Sequence, residues 1–511
     1  MRASPLQRFG GLIVLVAGGM AVTAFAPLGW FPLAIFSLAI LFNQWLLDSP
    51  RQAFWHGALF GFGYFGAGVS WVYVSVHTYG QVPLLPASLV AAALVVVLAL
   101  YPAILGYVLR RMAPGGSWPV VVAVFPAGWV LAEWLRGWLF TGFPWLTIGT
   151  SQIDSPLAGF ATLLGNYGVG WATALSAALL LALLRGRLRV PSLVLLGALW
   201  LGGYFADRVE WTGPRGEALQ VALVQGNIPQ ENKWAPENLL YTLERYSALT
   251  FAQQDKDLVV WPETAIPAFY HQVADNFIPY LETELQASGT TLLTGIPVLD
   301  MSAWRYYNSI MTIGDARRFY YKRHLVPFGE YLPMRWLLGD RLDALAVPNA
   351  DFSAGDDKQA LLQAAGVPIA SSICFEIVFG AEIIQALPEA ALLVNVSNDG
   401  WFGDSLAPHQ HLEMSRMRAK ETGRPLLRAT NTGISAIIDH SGRITARSRQ
   451  FEEIVVSGTV VPHQGATPYV RFGNLPVLAL ALASLLGGWF GSRKKDKARD
   501  TDANIAINNS Q

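Results

Sequence analysis

The chain has 511 residues, of which 52% are hydrophobic and only 14% charged, with 36 basic side chains against 36 acidic ones and 18 tryptophans. Soluble domains carry about 25% charge, so this composition excludes an ordinary water-soluble globule, and the absence of net charge argues against a nucleic-acid partner. The protein reads as a membrane protein with two solvents: no Asp, Glu, Lys or Arg occurs from Phe9 to Leu47 or from Gln52 to Leu109, whereas residues 214–464 have the mixed composition of a globular domain.

Dividing the apolar regions at charges and turn residues, with about 20 residues per bilayer crossing, predicts seven helices near 9–26, 29–47, 53–77, 83–109, 118–135, 161–184 and 190–206. An eighth, from Asn474 to Gly491, follows the globular part. Pro119 and Pro126 make the fifth the least regular, and Glu133 and Arg136 near its end are three apart, as in an ion pair on one helix face or a contact to a lipid headgroup. Arg2 and Arg8 before an apolar run ending Ala24-Phe25-Ala26 resemble a secretory signal, but Pro27 at the position after cleavage favours an uncleaved anchor.

Orientation follows the basic residues. Arg2, Arg8, Arg51, Arg110, Arg111, Arg185, Arg187, Arg189 and the run Arg493 to Arg499 fall on one side, while the connections Pro27–Gly29 and His77–Gln81 carry no Asp, Glu, Lys or Arg. Both termini are therefore expected in the cytoplasm and the globular domain outside it. The expected organisation is a transmembrane domain over residues 1–212, an extracytoplasmic α/β domain over 213–465, a last helix within 466–492, and a basic, then polar, cytoplasmic tail over 493–511. The basic tail needs no reading beyond stop-transfer and anionic-lipid contact.

Between the seventh and eighth helices, short β-branched runs alternate with helix-like segments: residues 219–225, 258–261, 291–296, 309–313, 318–321, 369–373, 392–397, 434–438 and 454–460. Such runs suit central strands covered by helices. Three chemically suggestive groups stand at their ends: Glu263 in Trp261-Pro-Glu263-Thr, Lys322 in Tyr321-Lys-Arg-His-Leu-Val-Pro-Phe-Gly-Glu330, and Cys374 in Ser372-Ile-Cys-Phe-Glu376. Cys374 is the one cysteine in the sequence and has no partner for an intrachain disulfide. Taken alone, a lone thiol after an apolar strand is more often a structural core residue than a nucleophile.

These motifs, in this order and followed by Val396-Ser-Asn-Asp-Gly-Trp-Phe-Gly403, resemble the Glu, Lys and Cys motifs of the nitrilase (carbon–nitrogen hydrolase) superfamily. With a nitrilase-like domain set between the last two of eight helices, the chain resembles the membrane-bound branch of that superfamily, the apolipoprotein N-acyltransferases. Segments Ser70–Val74 and Leu135–Leu146 resemble family segments too. The resemblance implies an αββα sandwich and a Glu263–Lys322–Cys374 triad. It also implies transfer of a fatty acyl chain from a glycerophospholipid, the sn-1 chain of phosphatidylethanolamine, to the α-amino group of an apolipoprotein's diacylglyceryl-cysteine. Phe375 departs from the tyrosine expected after the nucleophile, which leaves that position a packing or acyl-contact role.

The chemistry follows from residue types. A thiol with a pKa near ~8.5 needs a base or a cation to become a nucleophile at neutral pH; Glu263 is the expected base, and Lys322, with a backbone N–H near Cys374, the expected oxyanion donor. Glu330 and Glu376 are expected in support, against the plain readings of a surface carboxylate at a glycine turn and a helix first-turn charge. Trp234, Phe375, Trp401 and Phe402 are expected substrate contacts, although a membrane-facing domain also places aromatics at headgroups. His409, His411 and Glu413 are not read as metal ligands, because His at i and i+2 project apart.

No metal, cofactor, nucleotide or nucleic acid is expected; the partners are a phospholipid donor, a lipoprotein acceptor and the bilayer, and the chain is expected to act as a monomer. The runner-up is a membrane-anchored amidase or nitrilase acting on a small soluble substrate, for which eight helices are excessive. A transporter would place ionisable groups deep in its spans, which the charge-free stretches disfavour.

Overall fold

The computed structural model describes residues 9–112, 118–253, 255–331 and 351–489. The polar tail expected after residue 492 lies outside them. The chain divides into two compact units, one comprising residues up to Ser70, Ala91–Val209 and those from Phe472 on, the other Trp71–Val90 and Glu210–Arg471.

The first unit is helical. Four helices are long and apolar enough to cross a membrane, Leu84–Met112, Trp118–Arg136, Pro156–Leu184 and Arg189–Ala206, and a fifth is added if Pro50–Gly68 and Trp71–Tyr79 count as one broken span. Gly10–Val22, Pro32–Leu47 and Leu475–Trp489 are apolar but shorter. Each of the eight predicted positions thus holds a helix, three of them shorter than a bilayer crossing by themselves. The predicted third span, 53–77, breaks after Gly68, and Trp71–Val90 packs with the second unit. Pro126 does not end the fifth: Trp118–Arg136 is continuous, with Pro119 in its first turn, where a missing N–H costs nothing.

Glycines set the closest helix contacts. A Cβ on Gly18 would lie 2.1 Å from the Phe60 carbonyl oxygen, and one on Gly63 would lie 2.0 Å from that of Leu15. Small residues let two membrane helices approach backbone to backbone, where packing rather than hydrophobicity drives association. Two buried ionisable side chains of this unit, Glu133 and Arg136, are tied to its own backbone. Glu133 Oε1 accepts from the Ile148 N–H at 2.8 Å, and Arg136 Nη1 donates to the Phe143 carbonyl at 2.6 Å and to that of Trp145. The two side chains are 3.9 Å apart, so together they fasten the loop 143–148 to the end of their helix.

The second unit is a two-sheet α/β domain. One sheet has the order β13-β2-β3-β4-β5-β6 and the other β12-β11-β10-β9-β8-β7. The strands are β1 (Thr212–Pro214), β2 (Leu219–Gln225), β3 (Leu258–Val260), β4 (Thr291–Asp300), β5 (Arg305–Ile313), β6 (Phe319–Tyr321), β7 (Leu362–Ala364), β8 (Val367–Ile373), β9 (Leu392–Ser397), β10 (Leu426–Thr430), β11 (Ala436–Ile438), β12 (Ile444–Arg447), β13 (Ile454–Val460) and β14 (His463–Gly465). β1 and β14 form a separate antiparallel pair.

Alternation along the strands shows why two layers form. Val221, Leu223, Leu258, Val260 and Leu293 share a core with Ile369, Ile373, Leu392, Val394 and Leu427 of the other sheet. Their neighbours Ala222, Val224, Val259 and Leu292 point the opposite way, onto Leu243, Tyr246, Ile278, Leu281 and Leu285 of the helices Leu239–Phe251 and Phe277–Ser288. A strand buried on both faces reads as a continuous apolar run. The result is the sheet-on-sheet sandwich with helical cover expected from the sequence.

Two central trios, β2-β3-β4 and β8-β9-β10, run parallel within their sheets. β10 escaped the sequence pattern because Arg428 interrupts Leu426-Leu-Arg-Ala-Thr430, yet that arginine is fully buried. β7 and β12, also missed, are short edge strands, and β1 and β14 form only three-residue pairings.

Candidate functional site

Ligand sites in sheets with parallel strands gather beyond the strands' carboxyl ends, and there the sequence-predicted groups converge. Glu263 follows β3, Cys374 follows β8, and Lys322 follows β6, the edge strand of the first sheet. Gly295 on β4 permits the approach of the Glu263 turn, since a Cβ there would meet Thr264 N at 2.4 Å and the Pro262 carbonyl oxygen at 2.5 Å.

Lys322 Nζ lies 2.8 and 2.7 Å from the two oxygens of Glu330 and 4.0 Å from Glu263 Oε1. Asn308 of β5 donates to Glu263 Oε1 at 2.7 Å and to Glu330 Oε1 at 3.3 Å, and the Asn398 N–H donates to Glu263 Oε2 at 2.8 Å. Both oxygens of Glu263 are thereby aimed. Burial pulls the Lys322 pKa down, but the Glu330 and Glu263 carboxylates outweigh it and hold it above the ordinary lysine value.

Cys374 stands at a sharp strand-to-helix turn: β8 ends at Ile373 and a 3₁₀ turn runs from Cys374 to Val378. Its φ is +50°, and that of Thr264, next to Glu263, is +48°. Such left-handed conformations cost a non-glycine residue on the order of 1–3 kcal/mol and persist where surroundings over-determine them. Burial and the Glu263 carboxylate push the Cys374 thiol up to about 12. The resting thiol is therefore protonated, so its nucleophilicity requires a base at the moment of attack.

Glu376 clasps the two motif ends together. Its Oε2 accepts from the Ile373 N–H at 2.7 Å, while Oε1 accepts from the Arg323 N–H at 2.7 Å and the His324 N–H at 3.2 Å, next to Lys322. Tyr320 adds its hydroxyl at 3.0 Å. Burial raises the carboxyl's pKa, with the nearby Lys322 charge and these N–H donors opposing.

Behind the thiol lies a buried network that sequence reasoning missed. His411 Nε2 donates to the Cys374 carbonyl at 3.2 Å, and Asn395 Nδ2 donates to the same oxygen at 3.3 Å. His411 Nδ1 faces Asp399 Oδ1 at 3.2 Å and Arg428 Nη2 at 2.9 Å; Arg428 bonds Asp399 Oδ2 at 2.8 Å and also Asn395. Arg428 overcomes the burial that would raise the Asp399 carboxyl, holding it well below the usual range. Burial lowers the His411 pKa, which keeps a neutral ring as a donor to the cysteine's carbonyl. The signal was present in the motif Ser397-Asn-Asp399 and in His411, considered above only as a metal ligand. His409 and His411 lie on the helix Ala407–Thr422, where a separation of two turns them apart. Asn308 and Lys233, also in the site, carry no sequence signature.

The predicted aromatic contacts are spread out. Phe375 is buried and packs on Phe379 with ring centroids 5.0 Å apart and on His324 at 5.9 Å. Phe402 meets the ring of Trp71 at 4.9 Å and that of His411 at 6.3 Å, and the Trp401 carbonyl accepts from Ser75 Oγ at 2.8 Å. These residues thus engage the segment Trp71–Tyr79. Trp234 is 47% exposed on the loop after β2.

Residues 17–179 match the apolipoprotein N-acyltransferase N-terminal domain family, and residues 220–467 match the carbon–nitrogen hydrolase family. An apolipoprotein N-acyltransferase of Methylococcus capsulatus is 48% identical over 95% of this chain and 96% of its own length. The chain belongs to the apolipoprotein N-acyltransferase family. A second member, from Nitrosomonas europaea, is 45% identical over 94% of this chain and 98% of its own length. Among solved structures, a CN-hydrolase superfamily protein from Xanthomonas campestris is 18% identical, with a TM-score of 0.36, covering 52% of this chain and 97% of that one. Family membership reaches both units, since the first match falls mostly in the helical unit, apart from Trp71–Val90, and the second in the two-sheet domain.

Proposed function

We propose that this chain transfers a fatty acyl group from a membrane glycerophospholipid to the α-amino group of the N-terminal diacylglyceryl-cysteine of apolipoproteins, in two half-reactions through a thioester on Cys374. The observation that carries this reading is the meeting of Glu263, Lys322 and Cys374 beyond the strand ends in a member of this family.

In the first half-reaction Glu263 takes the thiol proton as sulfur attacks the ester carbonyl of the lipid. Lys322, with a backbone N–H near Cys374, faces the oxyanion; one such donor is worth roughly 3–4 kcal/mol. The C–O bond then breaks, Glu263 returns its proton to the departing glycerol oxygen, and a lysophospholipid leaves. In the second, the amine of the lipoprotein attacks the thioester, Glu263 accepts a proton from nitrogen, and the C–S bond breaks. The sulfur recovers the proton, leaving an N-acylated product. Glu330 keeps Lys322 charged and aimed, and Glu376 supports the cysteine turn. Trp234, Trp401, Phe402 and Phe375 are assigned to the acyl chains or to the walls that hold them.

The reading includes an eight-helix membrane part, both termini in the cytoplasm and the catalytic domain on its outer face. Its support is the one-sided distribution of basic residues. The chain is proposed to work as a monomer without metal or cofactor.

The test is mass analysis of the peptide containing Cys374 after incubation with phospholipid. An acyl-sized, hydroxylamine-labile adduct is expected in the wild type, discharged by a diacylglyceryl-cysteine peptide. Its absence from the wild type, or its persistence in Cys374→Ser, would overturn the proposal.

A further inference from the structure

Lys233 has no part in the chemistry above. It stands on the loop after β2, only 2% exposed, and its Nζ donates to the main-chain oxygen of Glu263 at 3.0 Å. A lysine is rarely buried to this degree unless its charge is compensated.

Charges around the thiol identify what compensates it. Asp399 has Arg428, 2.8 Å away, with His411 beside both. Glu376 has the N–H groups of Ile373, Arg323 and His324 and the field of the Arg323 guanidinium. Glu330 has Lys322, bonded to both its oxygens. Glu263 is left with a 4.0 Å share of that same Lys322. Two carboxylates and one ammonium leave an excess negative charge, and removing the partner of a buried charge is strongly unfavourable. Proton transfer from Cys374 to Glu263 would not cancel that excess; it would move it to the sulfur and then to the oxyanion.

We propose that Lys233 is a positioning residue of acyl transfer: its ammonium neutralises the second carboxylate of the cluster and holds the Glu263 main chain at the Thr264 turn. Negative charge passing from Glu263 to sulfur to oxyanion then faces two cations instead of one. This rests on Cys374 being the nucleophile. Burial lowers the Lys233 pKa to about 8, with the charges of Glu263 and Cys374 opposing the fall. The cation is therefore present at neutral pH. By linkage, a thiolate that stabilises the ammonium is itself stabilised by it. The charged groups facing the thiol are Glu263, Lys322, Asp399 and Lys233, with Glu330 behind Lys322.

Because Cys374 is the only cysteine, iodoacetamide alkylation of the full-length detergent-solubilised protein, followed by mass between pH 6 and 10, reads this thiol without any lipid. Below about pH 8, where Lys233 holds its proton, Lys233→Met and Lys233→Gln are expected to be alkylated about tenfold more slowly than wild type at a given pH, the displacement closing above it as wild type loses the ammonium. Both are expected to slow acyl-adduct formation at least about tenfold, matching that displacement, and Lys233→Arg to move both readings back toward wild type. Profiles that superimpose on wild type would overturn the proposal. So would a wild-type profile for Lys233→Gln alone, which keeps a donor to the Glu263 carbonyl and would show that the hydrogen bond, not the charge, matters. If Lys233→Met lacks a cooperative melt, Lys233→Gln decides. A wild type that forms no acyl adduct while the alkylation displacement stands would remove the acyl-transfer reading and leave the electrostatic one supported.

Discussion

Both units bury ionisable side chains, and they use them in opposite ways. In the helical unit Glu133 and Arg136 are spent on backbone: the Ile148 N–H, the Phe143 carbonyl and the Trp145 carbonyl absorb them, and a loop is fastened. In the two-sheet unit Glu263, Lys322 and Glu330 are turned toward one another, with Lys233 on the Glu263 main chain, around a cysteine in a left-handed conformation. Burial of charge is thus no mark of function by itself. What distinguishes the second cluster is that its charges surround a thiol, so that moving one proton alters the state of all.

The two clusters differ most at the thiol. Cys374→Ser is expected to abolish the hydroxylamine-labile adduct while leaving the thermal melt in detergent near that of wild type. Glu263→Gln keeps the shape and removes the proposed base; adduct formation is expected to fall by about 10²- to 10⁴-fold, the usual worth of a positioned base. A rate within tenfold of wild type in that variant would remove Glu263 from the role.

Next come the groups behind the thiol. Asp399→Asn leaves Arg428 buried without its counter-ion and loosens His411 from the Cys374 carbonyl. The expected result is a loss of about 3–5 kcal/mol in unfolding free energy, read by denaturant titration, with faster alkylation of the cysteine at a given pH, because the Asp399 charge is one of those that hold the thiol up. In the helical unit the parallel change, Glu133→Gln, removes the acceptor charge for the Ile148 N–H and is expected to cost about 1–3 kcal/mol. Its alkylation profile against pH is expected to match wild type; a displaced profile would mean that the two clusters are not separate in function.

The smallest effect is a pH dependence. An ordinary cysteine, with a pKa of about 8.5, is mostly thiolate by pH 9 and gains little more by pH 10; with its thiol held up to about 12, Cys374 is expected to be alkylated about tenfold faster at pH 10 than at pH 9. The raised value also carries a stability sign. Below about 8.5 both folded and unfolded thiols keep their protons; above it the unfolded chain releases a proton that the folded chain retains, so stability falls as pH rises. The melting temperature of wild type is expected to drop more steeply than that of Cys374→Ser over pH 8.5–10.

Glu263, Lys322, Glu330, Cys374 and Glu376 were legible because each stands in a local motif at a strand end. The apolar strands β2, β8, β9 and β13 were legible for the same local reason, since a strand covered on both faces must be apolar throughout. Arg428 hid β10 because a buried arginine is satisfied only by groups distant in sequence, Asp399 and Asn395. His411 was read against its sequence neighbours, His409 and Glu413, when its partners are the Cys374 carbonyl and Asp399.

Hydropathy and its period are properties of a local stretch, so the amino-acid sequence alone determined the two-solvent character, the helix positions, the α/β alternation and the local motifs that hold Glu263, Lys322 and Cys374. Tertiary structure alone decided that the third span breaks after Gly68, that Glu376 ties the Cys374 turn to the segment after Lys322, and that Lys233 meets the Glu263 backbone. Those contacts join residues from 30 to 53 positions apart in the cases of Lys233–Glu263 and Arg323–Glu376. No local pattern encodes such a pairing, because the charge of one partner acquires its meaning only when folding removes water from between them.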